Sequence, residues 1–148
     1  NARGQFMLGV MYGSGAGVPK DNTEAAKWYR LSAQQGYSYA QHNLGFMYSN
    51  GRGVLKDYNK AEKWFRLSAK QGRSDSQYNL GYMYEHGKGV IKDNVTAYMW
   101  YGIASANGHD NASDSRDRLE VTMTPEALQN AAAMAKECTK SNMEKCEY

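Results

Sequence analysis

Along the chain, small and apolar positions recur with a helical period and are interrupted at regular intervals by glycine. From Gln41, residues Leu44, Gly45 and Tyr48 follow at i+3, i+4 and i+7, one face of a helix. Further on, Ala61 and Trp64 share a face that Leu67 and Ser68 extend. The segment between, Ser49-Asn-Gly-Arg-Gly-Val54, holds two glycines too close together for a helix to continue. This pattern predicts a helix–turn–helix.

The same unit returns every 36 residues. Its heart reads QFMLGVMYGSGAGVPKD at Gln5 to Asp21, QHNLGFMYSNGRGVLKD at Gln41 to Asp57 and QYNLGYMYEHGKGVIKD at Gln77 to Asp93. The units close on Gly36, Gly72 and Gly108, and 13 of the 36 positions are identical in all three. Asp21, Asp57 and Asp93 stand where each second helix begins, as N-caps whose carboxylates accept free backbone N–H groups. Glu24 follows Asp21 at the spacing of a capping box. The closing glycines fit the left-handed position that ends a helix. Gly9, Gly45 and Gly81 lie mid-helix, where glycine costs about 1 kcal/mol relative to alanine, so a close crossing of the two helices is expected there.

A lone helical hairpin cannot bury both faces, so stacking on its neighbours is what stabilises it. Trp28, Trp64 and Trp100 each offer roughly 150–250 Å² to that stacking. Full burial of each would contribute roughly 4–6 kcal/mol before entropy. The organisation expected is repeats at 1–36, 37–72 and 73–108, capping helices at 109–137 and a tail at 138–148, in one continuous solenoid. The fold class is all-α: a right-handed α/α superhelix of three helix–turn–helix repeats with a C-terminal capping helical pair. In that last stretch Arg116-Asp117 replaces the Leu-Gly of the repeats and the glycine loop is missing, while Thr124-Pro125 starts a fresh helix.

Composition narrows the function. Hydrophobic residues at 41% supply a core and exclude a disordered chain. A formal charge of +3 is too mild to argue for nucleic acid. No apolar run approaches the roughly 18 residues of a membrane span. Two cysteines exclude a four-cysteine zinc site, and His42, His86 and His109 lack metal-ligand spacing with them. The glycine loop Gly13-Ser-Gly-Ala-Gly17 follows no strand and precedes no Gly-Lys-Ser/Thr, so it is an interhelical turn, not a phosphate cradle. No cofactor or metal is expected. Cys138 and Cys146 would lie about 12 Å apart along one continuous helix, beyond the reach of a disulfide. They can bond if the helix ends near Lys140-Ser-Asn142 and the chain turns back; otherwise they are two free thiols in a tail.

The string A/Q-x-x-LG-x-M-Y-x-x-G-x-G-V-x-K-D, followed by A-x-x-W-[YF] and a closing glycine, resembles the Sel-one-like repeat, a helical-repeat family akin to tetratricopeptide repeats. The resemblance covers residues 1–108, and RDRLEVTMTPEALQNAAAMA is similar to the closing segment of such arrays. It implies a protein-interaction scaffold. The spacing of Cys138 and Cys146 matches the paired cysteines of disulfide-bearing relatives, which implies a bond and a periplasmic or secreted location. Some cysteine-rich bacterial relatives are described as binding or hydrolysing β-lactams, the alternative function. That chemistry would show Ser-x-x-Lys and Lys-Thr-Gly, and neither string occurs here. The chain enters a repeat directly at Asn1, as a portion of a longer array would.

In stacked hairpins the open face of each first helix lines one side. Across the second and third repeats the candidate partner-binding residues are Tyr39, His42, Asn43, Phe46, Asp75, Tyr78, Asn79, Tyr82 and Glu85, with Phe6, Met7 and Val10 in the first. Aromatic rings give contact area at low entropic cost, and the asparagines can bond a peptide backbone. The competing reading packs the aromatics between repeats, Phe46 and Tyr82 foremost.

Overall fold

The computed structural model describes residues 1–146, so Glu147 and Tyr148 of the expected tail lie outside the described residues. Among the described residues there are eight helices and no strand. These are α1 (Ala2–Ser14), α2 (Asn22–Gln34), α3 (Ser38–Asn50), α4 (Tyr58–Lys70), α5 (Ser74–His86), α6 (Asn94–Ala106), α7 (Ala112–Glu120) and α8 (Pro125–Lys140). The chain divides into two compact units, Asn1–Ser68 and Ala69–Tyr148.

The same punctuation builds every hairpin. Gly15, Gly51 and Gly87 end the first helices at φ 78°, 64° and 63°. The N–H of Asp21, Asp57 and Asp93 donates back to the carbonyl of Tyr12, Tyr48 and Tyr84, at 2.9 Å in each case, and closes the turn. The aspartates then cap the second helices: Asp21 accepts from the N–H of Thr23 and Glu24, Asp57 from Lys60, and Asp93 from Val95 and Thr96. The capping box at Asp21 forms only its first half, since the Asp21 N–H is already given to Tyr12 and Glu24 pairs with Lys27 instead.

In the N-terminal unit, α2 packs against α1 and α3. Leu44, Gly45, Gln41 and Tyr48 are buried on the α3 face that the periodicity predicts. On α4, Ala61 and Ser68 are buried as the periodicity predicts, but Phe65 is buried in place of Trp64, which is half-buried, and Leu67 is exposed. The cause is Gly45. A Cβ there would lie 2.8 Å from the Phe65 ring, so the glycine is the slot into which that ring fits. Gly9 receives Tyr29 in the same way, with a Cβ 2.6 Å from the ring. The close crossing expected at these glycines is therefore an aromatic ring seated on bare helix backbone.

Two invariant or near-invariant polar residues also serve packing. The Ser32 hydroxyl donates to the Ala2 carbonyl and the Ser68 hydroxyl to the Ser38 carbonyl, tying the end of each second helix to the start of its first. Gln41 is 4% exposed and donates to the Ala33 carbonyl, which stitches the second hairpin to the end of α2.

In the C-terminal unit, α6 packs against α5, α7 and α8. Its residues Met99, Trp100, Tyr101 and Ile103 are all buried, and a helix covered on several sides needs such an all-round apolar sequence. Tyr101 fills the slot at Gly81, where a Cβ would lie 2.6 Å from the ring. Gln77 repeats the role of Gln41, donating to the Ala69 carbonyl at 3.1 Å. Of the three tryptophans only Trp100 is fully buried, so the large burial term expected of all three applies to it alone. Thr124 caps α8 by accepting from the Ala127 N–H, with Pro125 in the first turn. Beyond α8 the chain turns back through Asn142 and Met143, both with positive φ, and Cys138 bonds Cys146 with their Cα atoms 4.8 Å apart.

Candidate interaction surfaces

On α3, Tyr39 and Phe46 are 49% and 42% exposed, so Phe46 stands at the surface and not in the core. His42 is half-buried, with its ring 5.6 Å from that of Phe65. Asn43 hydrogen-bonds the Tyr29 phenol. Burial raises the Tyr29 pKa and the Asn43 bond opposes the rise.

Asn43 and Phe46 line a cleft of about 320 Å³ between α1, α2 and α3, together with Val10, Gly13, Tyr29 and Arg52. The Arg52 guanidinium lies 5.7 Å from the centre of the Phe46 ring, a cation–π contact at the cleft rim. Phe6 packs instead into an aromatic cluster, with ring centroids 5.7 Å from Tyr29, 5.2 Å from Tyr37 and 5.9 Å from Tyr39.

On α5, Tyr82 is 45% exposed and stacks on His86 at 4.2 Å. Tyr78 is half-buried, stacked on His109 at 4.3 Å and near-parallel at 7°, with Tyr101 at 5.3 Å. It is a packing residue. Asp75 is exposed and takes a hydrogen bond from Arg73 at 2.8 Å, while Asn79 is half-buried.

Glu85 departs from the expectation. It is 8% exposed, accepts a hydrogen bond from the Tyr101 phenol at 2.7 Å, and forms a two-pronged ion pair with Arg118 of α7. The open face of α5 ends before it because the Tyr101 phenol and the Arg118 guanidinium close on its carboxylate. Burial pushes the Glu85 carboxyl up, but the bonds from Arg118 and Tyr101 outweigh it and hold the group below the usual carboxylate range. Tyr101 is pushed far up, by burial first and by the adjacent carboxylate second. Sequence reasoning missed Arg118, although it stands 36 residues after Tyr82 and 72 after Phe46, at the same repeat position. It also missed Tyr29 and Arg52 as cleft residues.

Among the described residues, no group of His, Cys, Asp and Glu is arranged to hold a metal ion, and no helix is long and apolar enough to cross a membrane.

The hairpins match the Sel1 repeat model at residues 2–37, 38–72 and 74–109, and the chain belongs to the Sel1 repeat family. Its structure is similar to that of a protective antigen of uropathogenic Escherichia coli displaying an SLR fold, with 41% identity and a TM-score of 0.74 over 75% of this chain. That match spans 24% of the antigen's own length. A Sel1 repeat protein from Oxalobacter formigenes is similar at 39% identity and a TM-score of 0.74, covering 80% of this chain and 89% of that one. Cysteine-rich protein B of Helicobacter pylori shares the fold at 24% identity, with a TM-score of 0.64 over 76% of this chain and 87% of its own. No curated protein matches the chain. The fold class is thus that of the Sel1-like repeats, an all-α array of helical hairpins.

Proposed function

We propose that the chain is a non-catalytic protein-interaction scaffold that binds an extended peptide or a partner's loop through the first-helix faces. Sel1 repeat proteins are in general interaction scaffolds, which supports the class. The observation that carries the reading is that Phe46 and Tyr82, at the same repeat position, keep 42% and 45% of their surface exposed while Leu44, Met47 and Tyr48 on α3 and Leu80, Met83 and Tyr84 on α5 are buried. Large half-exposed rings on rigid helices are the residues that anchor partners, and rigid helices lose little ordering entropy on binding. Tyr39, His42 and Asn43 extend the α3 face, and Asp75 and Asn79 offer polar contacts on α5. The Cys138–Cys146 bond supports an oxidising compartment, a periplasm or the cell exterior.

The test is capture of partners from an extract of the native source by wild type and by Phe46→Ala/Tyr82→Ala, with circular dichroism to check folding. A partner retained by wild type and lost by the folded variant is expected. Equal capture by both would move binding to the turns, the second helices or the C-terminal segment.

A further inference from the structure

The first and third repeats use one cleft position in opposite ways. In the C-terminal unit the Glu85 carboxylate accepts from the Tyr101 phenol and from Arg118. The residues 72 positions earlier are Gly13 for Glu85, Tyr29 for Tyr101 and Phe46 for Arg118. Where the third repeat is plugged by its own carboxylate, the first has a glycine and an open cleft of about 320 Å³. The donors nevertheless remain. Tyr29 lines the cleft, and its phenol oxygen lies 3.7 Å from where a Cβ at Gly13 would stand, the position that Glu85 fills in the third repeat. Arg52 stands at the rim over Phe46. Among the described residues lining the cleft, none is acidic.

We propose that the cleft between α1, α2 and α3 receives a glutamate side chain of a bound peptide, supplying in trans the carboxylate that Glu85 supplies in cis. The phenol of Tyr29 donates to the incoming carboxylate at the cleft floor, Arg52 pairs with it from the rim, and Phe46 covers its methylene stem. Charge complementarity selects the occupant: a cationic side chain would meet Arg52 and phenol and amide donors with no acid to answer it. This inference rests on the scaffold reading and names the chemistry its partner must carry.

The test uses a short Gly/Ser peptide with one central glutamate, beside the same peptide carrying glutamine or lysine, titrated into the whole chain by ¹H–¹⁵N NMR. Saturable shifts at the Gly13 N–H, the Asn43 side-chain amide and Arg52 Nε are expected with glutamate alone. Arg52→Gln should weaken that response by about fivefold. Gly13→Glu should abolish it, because the new carboxylate occupies the cleft; a Cβ at 13 meets only the Ala25 Cβ and the Tyr29 hydroxyl, both at 3.7 Å, so the fold accepts the change. Equal responses to glutamate and glutamine, no saturable response, or a response that survives Gly13→Glu would each overturn the inference. Capture from extract that depends on Phe46 and Tyr82 yet ignores Gly13→Glu would overturn it while leaving the scaffold reading intact.

Discussion

At the scale of single residues, the mid-helix glycines carry a tight packing constraint. A Cβ at Gly45 would lie 2.8 Å from the Phe65 ring, closer than packed carbons sit. Gly45→Leu should therefore lose about 1–3 kcal/mol by overpacking, read as a lower urea midpoint. Adding Phe65→Ala in the same chain should return part of that loss, because it empties the slot; an additive double variant would deny the contact. Gly36 and Gly72 are constrained differently. Open space surrounds both, but their φ values of 88° and 86° are left-handed, so alanine there should cost about 1 kcal/mol through the backbone alone. Both sets of glycines were legible in the sequence, as recurring residues at costly positions. Which aromatic of the Trp64-Phe65 pair turns inward was not. Neighbours on a helix differ by about 100° in direction, and two adjacent large rings leave that rotation open until the glycine slot on the facing helix selects one.

At the scale of elements, the join of α5, α6 and α7 is where the sequence misled. Glu85 occupies a position that periodicity assigns to the open face, but its partner Arg118 is 33 residues away, and short-range pattern cannot foresee a bond across that separation. The repeat position held the clue, since Arg118 replaces the aromatics of Phe46 and Tyr82. The network has a pH signature. Because the folded-state pKa of Glu85 is depressed, its contribution is present above the ordinary value of about 4.5 and is lost as pH falls through the lower folded value. Glu85→Gln should cost about 1 kcal/mol near neutral pH, a modest figure because the Arg118 side chain is 59% exposed. Its unfolding midpoint should also fall less steeply than that of wild type below pH 4.5; parallel acid profiles would remove Glu85 from the account of acid stability. The aromatics divide along the same line. Tyr78→Ala should lower the melting temperature by removing the stacks on His109 and Tyr101, whereas Tyr82→Ala should leave it nearly unchanged. A binding defect in the first would confound folding with contact, and a defect in the second would not.

At the scale of the whole molecule, the repeat signature accounts for six helices of 13 residues each and stops there. The last two helices follow a different logic. In α8 only Ala131 and Cys138 are buried, too little apolar surface to hold a helix of 16 residues by packing alone. The Cys138–Cys146 bond makes up the difference: it fixes the turn after Lys140, where the Ser141 hydroxyl donates to the Cys138 carbonyl and accepts from the Lys145 N–H. Closing so short a loop limits the stabilisation to about 2–3 kcal/mol by loop-closure entropy. The sequence left the two cysteines open between a bond and free thiols, because the choice depends on where α8 ends, and helix ends are set by local hydrogen bonds that no periodicity encodes. Cys138→Ala/Cys146→Ala should lower the urea midpoint accordingly. Amide exchange should quicken first in the last turns of α8 and in 141–146, with α5 and α6 following only at higher denaturant. A midpoint indifferent to reduction would mean that α8 is held by its packing on α6, and the case for an oxidising compartment would lose its physical basis.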